Sequence, residues 1–167
     1  NKEKLFRSGL LVINYEQGKP ELTEEENLIV KQYIANGGRL LLCCPAWVWV
    51  AYEKKGLERL PFNRITENYG VFLTSDYVTP PLKMIGQIFP SASLTEMNAT
   101  FSSLIYSNNA EPILLGADHK VGALAAKKGE SRLIVWGHNN LLNSEFALKP
   151  EGKRVIKDLF DWLLIKP

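Results

Sequence analysis

Gly37-Gly38-Arg39-Leu40-Leu41-Leu42-Cys43-Cys44-Pro45-Ala46-Trp47-Val48-Trp49 is the stretch whose reading decides the fold. Two glycines end a helix, a continuous apolar run reads as a buried strand, and a tight turn follows that carries two thiols and two indoles. Open α/β sheets place their ligand sites beyond the carboxyl ends of their strands. This turn is therefore the first place to look for chemistry.

Upstream, Leu10-Leu11-Val12-Ile13-Asn14 is apolar and β-branched, as expected for a strand covered on both faces. Thr23-Glu24-Glu25-Glu26 has capping-box spacing, with three acids in the first turn at the positive helix end. Ile29, Val30, Tyr33 and Ile34 then fall on one helical face, and Gly37 can take the left-handed conformation that stops the helix. Strand, helix and strand at this spacing predict two adjacent parallel strands with a right-handed crossover.

Downstream, the spacing predicts a short helix over 63–69 ended by Gly70, then a third strand at Val71-Phe72-Leu73. Pro80, Pro81, Gly86 and Pro90 interrupt residues 74–90, which read as an irregular excursion. Leu94, Met97, Phe101, Leu104 and Ile105 recur at spacings of three and four, which predicts a helix closed by Asn108-Asn109. Residues 112–117, 121–127 and 132–137 are strand-like, and their short connections demand antiparallel neighbours. A last helix over 152–165 carries Val155, Ile156, Leu159, Phe160 and Leu163 on one stripe. The expected architecture is an α/β three-layer sandwich: a mostly parallel, flavodoxin-like sheet with an antiparallel extension near the C-terminus, as a single domain over 1–167.

Composition removes several functions. Twenty basic and eighteen acidic residues leave a net charge of +2, and no like-charge run exceeds pairs such as Lys127-Lys128, so there is no electrostatic footprint for nucleic acid. The apolar runs at 40–44 and 133–136 fall far short of the ~20 residues that cross a bilayer. Two adjacent cysteines are poorly placed to bridge each other, which leaves the redox compartment open. The charged opening Asn1-Lys2-Glu3-Lys4 has no apolar signal segment and suggests either a cytoplasmic protein or, the favoured reading, a piece of a longer chain.

Three sets of residues invite a chemical role. Cys43 or Cys44, at the strand-to-turn junction, could gain thiolate character if a helix N-terminus lies there, with His138 on the same sheet edge as base. A nucleophile elbow, however, needs small residues two before and two after the nucleophile. Cys44 has Leu42 and Ala46 there, Cys43 has Leu41 and Pro45, and His138 is followed by Asn139 and Asn140 rather than an acid. Buried structural thiols are the expected outcome. Trp47 and Trp49 could stack on a sugar or another flat ligand: an extended segment would put both indoles on one side, whereas a helix would separate them. With Asn139 and Asn140 they form the candidate ligand-binding set. Two histidines without a His-Glu-x-x-His pair, and no spaced cysteine pairs, leave no zinc signature. Asn14-Tyr15-Glu16-Gln17-Gly18-Lys19-Pro20 stands where a glycine-rich phosphate loop would follow the first strand, and no cofactor is expected.

Leu22-Thr23-Glu24-Glu25-Glu26, Gly37-Gly38-x-Leu40-Leu41, Ala46-Trp47-x-Trp49, Pro61-Phe62-Asn63-x-Ile65 and Gly70-Val71 form a pattern. With Arg132-Leu133-Ile134-Val135-Trp136-Gly137-His138 and the terminal Asp161-Trp162-Leu163, it resembles the class I glutamine amidotransferase-like domain that accompanies enhancin-type, M60-like peptidases and the TRP channel-associated factors. The resemblance implies a flavodoxin-like sheet in an accessory module, with other domains of the same polypeptide or a small molecule or glycan as partners. It also implies an extracytoplasmic setting if the piece comes from a secreted peptidase. Active members carry Gly-x-Cys-x-Gly at the elbow and a glutamate two residues after the histidine. Leu42-Cys43-Cys44-Pro45-Ala46 and His138-Asn139-Asn140 depart from both, so the expectation is a module that binds without hydrolysing, with a divergent cysteine hydrolase and a purely structural domain as alternatives.

Overall fold

The computed structural model describes residues 2–18, 21–89 and 99–165. After a short helix α1 (Lys2–Phe6), strand β1 (Leu11–Asn14) leads to helix α2 (Glu24–Ala35) and strand β2 (Arg39–Cys43). Thr23 Oγ1 accepts the Glu26 N–H at 3.2 Å while the Glu26 carboxylate accepts the Thr23 N–H at 2.8 Å. This reciprocal cap is worth about 1 kcal/mol. At the other end Gly37, with φ 87°, lets its own N–H reach Ile34 O and the Gly38 N–H reach Tyr33 O, both at 3.0 Å. The chain thereby reverses straight into β2, and β1 and β2 pair in parallel, Leu11 opposite Leu40 and Asn14 opposite Cys43.

Helices α3 (Ala46–Ala51) and α4 (Pro61–Thr66) follow, then β3 (Phe72–Val78), β4 (Lys83–Met84), β5 (Phe101–Ile105), β6 (Ala110–Leu115), β7 (Val121–Lys128) and β8 (Ser131–Trp136), with α5 (Ser144–Ala147) and α6 (Pro150–Leu164) at the end. The main sheet runs β1-β2-β8-β7-β6-β4. Its first half is parallel, β2 lying between β1 and β8, and the other half is the antiparallel extension formed by β7, β6 and β4. Residues on β2 and the one just after it alternate between two apolar layers: Leu40, Leu42 and Cys44 pack with α2, α3 and α4, whereas Leu41 and Cys43 pack with α6. These layers on either side of one sheet make the three-layer α/β sandwich. Arg39 and Arg132, opposite each other on β2 and β8, both reach the end of α6, donating to Ile165 O at 3.4 Å and Trp162 O at 2.8 Å. Cations there meet the negative helix end.

Three local expectations are corrected. β1 is an edge strand, not one covered on both sides, and Val12 is 38% exposed. An apolar run of four residues, Leu10 to Ile13, reads alike for a buried strand and for an edge strand with one covered face. The helix expected through Phe101, Leu104 and Ile105 is strand β5, while Leu94 and Met97 lie outside the described residues. β5 pairs antiparallel with β3, Val78 opposite Phe101 and Phe72 opposite Ile105, and this long-range pairing overrides a spacing pattern that only five residues carry. The third strand is real but belongs to that separate two-stranded sheet, not to the main one.

Candidate functional site

The β3-β5 ribbon decides what the carboxyl edge of the main sheet can do. Leu73 and Leu104, at one end of the ribbon, join the apolar layer of α2 to α4, while Val78 and Phe101, at the other, join the layer of α6. The ribbon thus straddles the edge from one layer to the other. The contact is backbone on backbone: the Ser102 N–H donates to Gly137 O at 2.8 Å, and the Gly137 N–H donates to Gly122 O at 2.9 Å. A β-carbon on Gly137 would lie 2.3 Å from Ser102 O and 2.8 Å from Gly122 O, so glycine is what allows β5 to come this close.

Beneath this ribbon lies the turn that the sequence singles out. The Cys44 N–H donates to Trp136 O at 2.9 Å, extending the β2-β8 ladder by one residue, and Pro45 then turns the chain into α3. The N–H of Trp47, in the first turn of α3, donates to Ser102 Oγ at 3.0 Å, and Ser102 is fully buried. The residue after Cys44 is Pro45, which has no N–H, and the residue after Cys43 donates its N–H to Trp136 O, so neither cysteine is followed by the free backbone donor that an oxyanion hole uses.

The thiols are sealed as well. Cys43 and Cys44 have no exposed surface and face opposite layers of the sandwich. Burial pushes the Cys43 thiol up to about 12 and holds Cys44 well above the ordinary thiol range. Both are thiols at neutral pH, the reverse of the activation a nucleophile requires. His138, half-buried, packs with its ring centre 5.2 Å from that of Phe101 at a tilt of 43°, and its Nδ1 accepts the Asn140 N–H at 2.9 Å. Burial pushes its pKa down to about 4. The neutral imidazole thus carries its proton on Nε2, and the nitrogen that could act as base is already engaged. No hydrogen bond joins either thiol to His138 among the described residues.

The two indoles part company. α3 is helical, so Trp49 turns inward, 1% exposed, and donates from Nε1 to Gly56 O at 3.1 Å beside the Tyr15 ring. Trp47 stays half-buried at the surface, its Nε1 donating to Thr100 O at 3.1 Å. Its ring meets Tyr52 at 5.8 Å and Tyr77 at 5.7 Å, both edge-on, and these two tyrosines are 59% and 51% exposed. Asn139 and Asn140, directly after His138, are half-buried, and Asn140 Oδ1 is buried without a hydrogen-bond partner among the described residues. The structure thus gathers Cys44, Trp47, Ser102, Gly137 and His138 around β5, and sends Trp49 away from them.

Sequence reasoning missed Ser102, Tyr52 and Tyr77. Ser102 has no local signal, because its role depends on a strand crossing from elsewhere. Gly137, directly after an apolar strand, was the one available sign of a close backbone approach.

Among the described residues no three His, Cys, Asp or Glu side chains converge on a possible metal position, and no helix is long and apolar enough to cross a membrane. No protein-family description and no curated protein sequence matches the chain. Solved structures do. The mmIFT52 N-terminal domain superposes with a TM-score of 0.73 at 19% identity, covering 99% of this chain and 81% of that one. A cytoplasmic protein of Salmonella typhimurium gives 0.72 at 13% identity over 99% and 76% of the two chains. A second cytoplasmic protein, from Salmonella typhimurium LT2, gives 0.66 at 13% over 97% and 74%. At such identities the likeness is one of fold.

Proposed function

We propose that this domain is a non-catalytic, amidotransferase-like accessory module that engages a ligand or partner at the carboxyl edge of its sheet. The observation that carries the reading is the passage of β5 over that edge, with Ser102 Oγ on the Trp47 N–H. The same strand that occupies the elbow leaves the Trp47 ring at its rim, in contact with two exposed tyrosines. Aromatic rings with large apolar faces and polar tips suit a sugar or another flat-faced ligand, or a neighbouring domain of the same polypeptide.

The test has two arms. Glutamine hydrolysis is measured for the wild-type domain and for a Cys43→Ser, Cys44→Ser variant, with no turnover expected from either. In parallel, soluble oligosaccharides and the adjoining segments of the polypeptide are titrated against wild type and Trp47→Ala, with tryptophan fluorescence as readout. Loss of a saturable response in Trp47→Ala supports the reading. Thiol-dependent turnover would overturn its non-catalytic half, and a response indifferent to Trp47 would overturn its placement of the site.

A further inference from the structure

A second part of the carboxyl edge, over β1, remains open. There a cavity of about 80 Å³ lies among Asn14, Tyr15, Glu21, Trp49 and Phe62. At about 30 Å³ per water, it holds two to three waters, or an ammonium head with its first one or two carbons. Three of its walls are aromatic: the Tyr15 ring lies 6.1 Å from Trp49 and 5.8 Å from Phe62. Among the described residues that line it, the charged ones are Glu16 and Glu21. Aromatic faces and carboxylates together favour a cation.

Two observations point to its chemistry. Asn14 lines the cavity, and its Oδ1 is buried without a hydrogen-bond partner among the described residues, an acceptor that lacks a donor. A buried polar atom in that condition is costly, so an N–H placed there is favoured over a methyl group. This corner also already stabilises one ammonium of the chain itself. Lys54 adopts a left-handed conformation at φ 55°, and the following Lys55 lays its Nζ 4.9 Å from the Trp49 ring and ion-pairs with Glu21. Tyr15, pushed up to about 12 chiefly by burial and then by the Glu53 carboxylate, stays a neutral phenol, which preserves its aromatic face.

The geometry points to a site for a primary alkylammonium group in this cavity, held by Asn14 Oδ1 and Glu21 between the Tyr15, Trp49 and Phe62 rings, with Lys55 as its internal competitor. Such a group is presented by a free alkylamine or by a lysine side chain. The site is separate from the Trp47 rim, and either can fail without the other.

The experiment titrates the domain with n-butylammonium at neutral pH while following the Trp49 indole N–H by NMR, with n-butanol and tetramethylammonium as comparisons. A saturating shift with n-butylammonium, at least tenfold weaker for both comparisons, is expected. Glu21→Gln, on an exposed loop position that leaves the core intact, should weaken binding at least tenfold. Lys55→Met should tighten it several-fold by removing the competing ammonium. An unmoved Trp49 signal overturns the proposal. So does an equal response to n-butanol, which marks a merely apolar slot, or to tetramethylammonium, which leaves Asn14 without a role. An unchanged affinity in Glu21→Gln does the same.

Discussion

The hydroxyl of Ser102 accepts the backbone N–H of Trp47 at 3.0 Å, across 55 residues of sequence. Ser102 is fully buried, and its own N–H is spent on Gly137 O. One side chain therefore ties the strand that crosses the sheet edge to the helix that starts beneath it. Ser102→Ala should leave the Trp47 donor unpaired and lower stability by about 1–3 kcal/mol, read from urea midpoints. An unchanged midpoint would show that water substitutes for the hydroxyl.

Gly137→Ala tests the same crossing from the other side. Its β-carbon would meet two backbone oxygens, which cannot yield as a flexible side chain does. β5 should lift, at a cost of about 1–3 kcal/mol, and the Ser102 amide should exchange its hydrogen faster while amides on β2 keep their protection. Equal loss of protection throughout would mean that the variant destabilises the whole fold instead of freeing the ribbon.

Gly37→Ala addresses the helix stop. With φ at 87° and Glu130 Cβ 3.2 Å from the position of an added β-carbon, the variant should lose about 1 kcal/mol or more, measured by denaturant titration.

The indoles should separate by stability. Trp49→Ala removes a ring packed at the heart of one layer and should cost about 3–5 kcal/mol, whereas Trp47→Ala should shift the melting temperature clearly less. Equal shifts would place both rings in the core and remove the surface role of Trp47.

Titration should limit stability on both sides. His138 is depressed from 6.5 to about 4, so the unfolded chain takes up a proton that the folded one refuses. The stability it contributes is present above about pH 6.5 and is lost as pH falls toward 4. Cys43 is raised from 9.0 to about 12, so its contribution is present below pH 9 and is lost as pH rises through that window. Melting temperatures across pH for wild type and His138→Asn, which keeps an acceptor for the Asn140 N–H, should show a shallower acid limb in the variant. Superimposable limbs would mean that His138 titrates normally.

Much of the frame was legible because its signals are local. The Thr23 to Glu26 cap, the Gly37 stop and the short turns near His119 and Gly129 each fix a neighbour through a few adjacent residues, and each is found where expected. β5 was not legible as a strand. Phe101, Leu104 and Ile105 fit a helical stripe as well as an extended one, and only pairing with β3, more than twenty residues away, selects the strand. For the candidate site, the shared edge of Cys44 and His138 could be foreseen from strand order, but its closure could not, because Ser102 acts from that same misread segment. Separation of Trp47 from Trp49 was posed correctly as a choice between helix and extended chain, and the helix decides it.

The adjacent cysteines have one more use. Since Cys43 faces the α6 layer and Cys44 the layer of α2 to α4, each thiol reports the opening of a different half of the interior. Single-cysteine variants labelled at low denaturant would therefore clock the two halves separately. Equal rates would identify one cooperative unit, and unequal rates would reveal which layer loosens first. Two neighbouring residues in the chain thus become a pair of built-in stopwatches, one on each side of the same strand.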